Sequence, residues 1–114
     1  MAKTVMTTPG NALGNEIQDY LLKVIRVPLV WRQNSRSVKL GGHLYKFGYT
    51  GCGDILGMLW DGRFLSVEVK SKNDESSPAQ IDNARTINEN GGIAIIARSL
   101  QDVIERLKKE GYNV

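Results

Sequence analysis

Apolar residues recur at spacings of three and four along the first third of the chain, at Leu13, Ile17, Leu21, Val24 and Ile25, with Tyr20 and Leu22 widening the stripe. That period predicts an amphipathic helix over 13–26, ended by Pro28, which cannot continue it. Leu29-Val30-Trp31-Arg32-Gln33 is β-branched and aromatic, the pattern of a short strand, and 34–46 is basic and glycine-containing, the pattern of an exposed loop. Asp61-Gly62 then separates Ile55-Leu56-Gly57-Met58-Leu59-Trp60 from Arg63-Phe64-Leu65-Ser66-Val67-Glu68-Val69-Lys70, which predicts two antiparallel strands joined by a tight two-residue turn.

Helix punctuation organises the rest. Ser76-Ser77-Pro78 offers a cap with proline just inside, opening a helix through Gln80, Ile81, Ala84 and Ile87 that stops at Gly91-Gly92. A strand at 93–97 follows. Ser99 caps a last helix whose stripe is Leu100, Val103, Ile104 and Leu107, with Arg106, Lys108 and Lys109 favouring its C-terminal end. The predicted order is α-β-β-β-α-β-α, an α/β domain over 13–114 preceded by an aperiodic, flexible arm over 1–12.

Composition narrows the class of function. At 114 residues the chain suits one domain, and no apolar run approaches the roughly 18 residues of a membrane span. The start lacks the apolar run and cleavage site of a secretory leader, so a cytoplasmic location is expected, without membrane partners or a nucleotide cofactor. The single cysteine, Cys52, cannot close an internal disulfide and is a poor start for a zinc site. The single histidine, His43, excludes a histidine-based metal cluster. A net charge of +3 suits a polyanionic partner and equally suits solubility. Trp31, Trp60 and Phe64 lie in apolar stretches and are expected in the core.

Chemistry concentrates on one strand. Side chains alternate there, so Glu68 and Lys70 share a face. A carboxylate can ligate Mg²⁺ or Mn²⁺, and a lysine two residues on can orient the attacking water or offset charge on a phosphoryl oxygen. A lone Glu-x-Lys is usually a solvated pair. Asp54, after Gly51-Cys52-Gly53 at the start of the preceding strand, supplies the second acid of a metal site, although Gly-x-Gly-Asp alone is often only a turn. One geometric obstacle stands: pairing Trp60 with Arg63 and counting back puts Asp54 opposite Val69, on the face away from Glu68. A β-bulge at Gly57, or a bend at the glycines beside Asp54, is expected to turn it back.

With these residues in place, the chain resembles the VRR-NUC branch of the PD-(D/E)xK nucleases over about 14–107. The pattern is a helical Glu16, then Gly51-Cys52-Gly53-Asp54, then Glu68-Val69-Lys70, then Gln80 on a helix. Further family wording stands at Asp54-Ile55-Leu56-Gly57, Arg63-Phe64-Leu65, Val67-Glu68-Val69-Lys70-Ser71 and Gly91-Gly92-Ile93-Ala94. The resemblance implies a restriction-endonuclease-like core with a mixed central sheet flanked by helices. It also implies Mg²⁺ or Mn²⁺ held by Asp54, Glu68 and the Val69 carbonyl, with Lys70 at the water. Glu16 would support the metal environment and Gln80 would lie near the scissile phosphate. Taken alone, Glu16 reads as a surface acid and Gln80 as a capping-box residue.

Arg32, Arg36, Lys39 and Lys46, interleaved with His43, Tyr45, Phe47 and Tyr49, form a segment without an acid that would attract a DNA backbone by counterion release. With no separate recognition domain, selectivity would have to come from DNA shape or from assembly. Stand-alone family members of this size resemble phage-type endonucleases that act as homodimers on four-way (Holliday) junctions, which is the leading expectation. A less selective nicking or flap nuclease, or a DNA-binding or assembly protein without catalysis, are the alternatives.

Overall fold

The computed structural model describes residues 9–33, 36–47 and 52–114. Helix α1 (Pro9–Asp19) runs into a π-helical turn at Tyr20–Val24; the strands are β1 (Leu29–Arg32), β2 (Arg36–Leu40), β3 (His43–Phe47), β4 (Ile55–Met58), β5 (Phe64–Val69) and β6 (Ile93–Ala97); α2 (Pro78–Glu89) precedes β6 and α3 (Leu100–Lys109) follows it. Four strands form one sheet in the order β1-β4-β5-β6, antiparallel except for the parallel pair β5 and β6. The chain is therefore a mixed α/β domain with a mixed central sheet flanked by helices. Among the described residues, no helix is long and apolar enough to cross a membrane.

Alternation along the strands sorts the two faces of the sheet. Ile55, Leu59, Leu65, Val67, Ile93, Ile95 and Ala97 point to one side and pack with Ile17, Leu21, Val103 and Leu107 from the helices into the core. Leu56, Ser66, Glu68, Ala94 and Ile96 are on the other side, which α2 covers above β5 and β6.

Several expectations about elements change. The first helix begins at Pro9, so the arm expected over 1–12 is helical from residue 9; residues 1–8 lie outside the described residues. Proline is well suited to a first helical turn, where its missing N–H costs nothing. That helix also ends in a wide turn, with the Ile25 N–H donating to the Tyr20 carbonyl oxygen at 3.0 Å. Leu21 stays fully buried, but the wider turn rotates Val24 out to 68% exposure and leaves Ile25 half-buried, which breaks the regular stripe.

The basic segment expected as a loop is instead the β2–β3 hairpin, turning at Gly41-Gly42, whose φ values of 56° and 77° give the twist that two-residue hairpin turns need. Trp31, Trp60 and Phe64 are not core residues: they are 38%, 45% and 42% exposed. Trp31 and Phe64 lie on the sheet face away from the core, and Trp60 lies in the β4–β5 turn. Apolar neighbours in sequence do not show which face of a sheet a residue will take.

The turn also corrects the register. Leu59, not Trp60, closes the hairpin, its N–H donating to the Arg63 carbonyl at 2.9 Å, so the loop has three residues, Trp60-Asp61-Gly62, with Gly62 at φ 88°. The ladder then runs regularly, Met58 with Phe64 through Ile55 with Val67, and no bulge interrupts it at Gly57. Gly57 is needed for another reason: a Cβ there would overlap the Leu29 carbonyl oxygen of β1. Gly57→Ala is expected to destabilise the fold by about 1–3 kcal/mol, read as a lowered thermal midpoint.

Candidate active site

One further step along the β4–β5 register sets Asp54 opposite Glu68. The β1–β4 ladder continues past its last paired residues in the same way, with the Gln33 N–H on the Asp54 carbonyl oxygen at 2.8 Å. Gly53 permits this approach, since a Cβ there would overlap the Ser66 hydroxyl and come within 3.0 Å of the Val67 carbonyl oxygen. The Asp54 carboxylate is pinned by the Val69 N–H, which donates to Oδ2 at 2.7 Å. Asp54, Glu68 and Val69 are thus brought together, with Lys70 one residue past the end of β5 and near enough for its charge to lower Glu68.

Electrostatics at this pair is unfavourable as it stands. Burial, then the adjacent Asp54 carboxylate, push Glu68 up to about 8, with only partial relief from Lys70. Glu68 Oε1 is buried and has no hydrogen-bond partner. An orphaned carboxylate oxygen beside a second carboxylate needs a proton or a cation between them. The donors are all oxygen, which suits a hard divalent ion such as Mg²⁺ or Mn²⁺, so the residues fit the implied metal. Among the described residues no group of three or more His, Cys, Asp or Glu side chains gathers, and the side-chain donors brought together here are the two carboxylates. Cys52 lies half-buried nearby, and burial together with Glu68 and Asp54 pushes its thiol up, which keeps it protonated and a weak nucleophile.

The remaining candidate residues divide. Gln80 shares the wall of a narrow cleft with Glu68 and Ser66. Its side chain, however, completes a capping box: its Oε1 accepts the Ser77 N–H at 2.9 Å and its own N–H donates to Ser77 Oγ at 3.2 Å. Only its amide NH₂ remains to face the cleft. Glu16, exposed on α1, lines a separate cavity of about 510 Å³ together with Lys70.

Of the cationic segment, expected to be exposed, Arg32 is half-buried at the end of β1. Its guanidinium lies against Gly14 and donates to Asn15 Oδ1 at 3.0 Å. Lys39 is exposed on β2, and His43 on β3. The Arg36, Tyr45, Lys46 and Phe47 side chains, and Tyr49 altogether, lie outside the described residues. Sequence reasoning missed Lys72 and Arg98, which line the same cavity as Glu16 and Lys70. The signal available was an Arg-Ser pair closing the last strand beside a helix start, and it is weak. No family model and no curated protein matches the chain.

Proposed function

We propose that this chain is a divalent-metal-dependent DNA endonuclease of the PD-(D/E)xK type, close to the VRR-NUC branch. The observation that carries the reading is the facing pair Asp54 and Glu68, with its unpartnered buried Oε1 and the charge of Lys70 close by. Asp54, Glu68 and the Val69 carbonyl would hold Mg²⁺ or Mn²⁺. When bound, such an ion neutralises phosphodiester charge and promotes water ionisation. The chain's own residues do the rest. Asp54 is oriented by the Val69 N–H, Glu68 is raised by burial until a cation displaces its proton, and Lys70 orients the attacking water and offsets charge on the phosphoryl oxygen. Glu16 would support that environment, and the Gln80 amide would face the scissile phosphate.

Arg32, Arg36, Lys39 and Lys46 would add backbone contacts, with Arg32 limited by its bond to Asn15. Selectivity for four-way junctions and action as a homodimer rest on the family resemblance and on the small size of the domain. The test is incubation with labelled four-way, flap, single-stranded and duplex DNA in Mg²⁺, Mn²⁺ or chelator, with products resolved on a sequencing gel. Paired symmetric junction cuts that vanish in chelator are the expected result. Cuts on flaps or nicks in duplex would support the less selective nuclease. Binding without cutting in either metal would overturn the enzyme reading in favour of a DNA-binding protein.

A further inference from the structure

The open cavity of about 510 Å³ lies where α1, the ends of β5 and β6 and the start of α3 meet, and it has room for more than a lone ion. Three of the side chains on its walls are cationic, Lys70, Lys72 and Arg98, against one acid, Glu16. Arg98 is anchored, with one guanidinium nitrogen donating to the Ser71 carbonyl oxygen, which places its head beside the chain segment that carries Lys70 and Lys72. At the N-terminus of α3 the capping groups are engaged with one another. The Asp102 N–H donates to Ser99 Oγ at 3.2 Å, and the Asp102 carboxylate accepts the Arg98 N–H at 2.8 Å. The three cationic side chains are the charges on the wall that would attract an anion. Asp74 works against them: its carboxyl is lowered chiefly by Ser71 and also by the charges of Lys70 and Arg98.

We infer that this cavity is a phosphodiester subsite, in which Lys72 and Arg98 hold a DNA backbone phosphate adjoining the scissile one at the Asp54–Glu68 site. The inference rests on the nuclease reading and names what holds the substrate strand in register. Lys70 links the two places: its charge reaches Glu68, and it shares a wall with Lys72 and Arg98. A guanidinium anchored on one side presents its remaining N–H groups in a fixed plane, which suits phosphate oxygens. Such an interaction reads no base, so its removal would weaken binding of all sequences alike.

The test is equilibrium binding of a fluorescently labelled DNA junction in chelator, so that nothing is cut, across a series of salt concentrations. Lys72→Gln and Arg98→Gln should each weaken binding by roughly threefold to tenfold and flatten the log–log salt slope by about 0.9 for each phosphate no longer neutralised. Asp74→Asn should tighten it. Arg85→Gln, which removes one positive charge from the exposed face of α2, where Arg85 pairs with Asp82, should leave binding nearly unchanged. Arg98→Gln also removes the bond to Ser71, so Lys72→Gln, which breaks no such anchor, keeps the result interpretable if that variant folds poorly. Wild-type binding that Lys72→Gln leaves unchanged, or that Arg85→Gln weakens as much, would overturn the subsite and leave the nuclease reading standing. A wild type that binds no DNA would overturn both.

Discussion

Asp54→Asn and Lys70→Ala should each lower the rate of DNA cleavage by at least about 10²–10³-fold while leaving the domain folded, the range found when one preorganised charge-stabilising group is removed. The structure explains why folding should survive. An asparagine at 54 keeps an oxygen for the Val69 N–H, so the link between the end of β4 and β5 persists while the charge disappears. Lys70 is held in the sheet by its backbone, whose N–H donates to the Ala97 carbonyl oxygen at 2.9 Å, and its side chain lies at a cavity wall rather than in the core. Loss of cutting with an unchanged thermal midpoint would therefore report chemistry. Retention of cutting within tenfold in both variants would remove the site from contention. Because both act on one reaction centre, the double variant should be little worse than the more damaged single one.

Glu68→Gln should separate stability from function. The Glu68 carboxyl sits at about 8 in the folded protein against an ordinary value of 4.5. Below the ordinary value it is protonated in both folded and unfolded chains. Between there and about 8, the unfolded chain releases a proton that the folded chain retains, so the stability of the metal-free protein falls as pH rises through that window. A glutamine keeps the neutral form at every pH and can donate to Asp54. It should stabilise the metal-free protein at pH 8 by about 1–2 kcal/mol, well below a full conversion of the shift because the group is partly solvated. At pH 5 the gain should largely vanish.

The same substitution should abolish the metal response. Mg²⁺ or Mn²⁺ at about one hundred times its dissociation constant should stabilise the wild type by about 2.7 kcal/mol near pH 8, less at pH 5, where protons compete for Glu68. Thermal melts of both proteins at the two pH values, with metal or chelator, provide the comparison. A Glu68→Gln protein that is less stable than wild type at pH 8, or that keeps the metal-induced shift, would contradict the shared site. The outcome expected is the familiar trade, in which an acid retained for function makes the folded state less stable than it could be.

Much of this molecule could be read from local pattern. The capped helices α2 and α3, with Ser77 and Ser99 bonded to the N–H three residues on, follow from residue types whose preferences act within one turn. The strands β1, β4, β5 and β6 and the neighbourhood of Glu68 and Lys70 follow from alternation with period two, and Gln80 as a capping residue follows from its place after Ser77. The meeting of Asp54 with Glu68 did not follow, because it depends on whether the turn holds two residues or three. A difference of one residue inverts the face of every side chain on a strand.

Tertiary contacts settle that choice. Tyr112, from the C-terminal end of the chain, donates its hydroxyl to the Asp61 carboxylate, and Trp60 is held between the Tyr112 ring and the Arg26 carbonyl oxygen, so the turn takes all of Trp60-Asp61-Gly62. The joining of Lys70, Lys72, Arg98 and Glu16 around one cavity likewise depends on where β5, β6 and α1 end in space. By itself the sequence determined most of the elements, though not the β2–β3 hairpin or the start of α1, and it pointed to most of the residues of the candidate site, since propensity, capping and periodicity act over a few residues. Only the tertiary structure decided which of those residues face one another, since that is set by contacts between segments tens of residues apart.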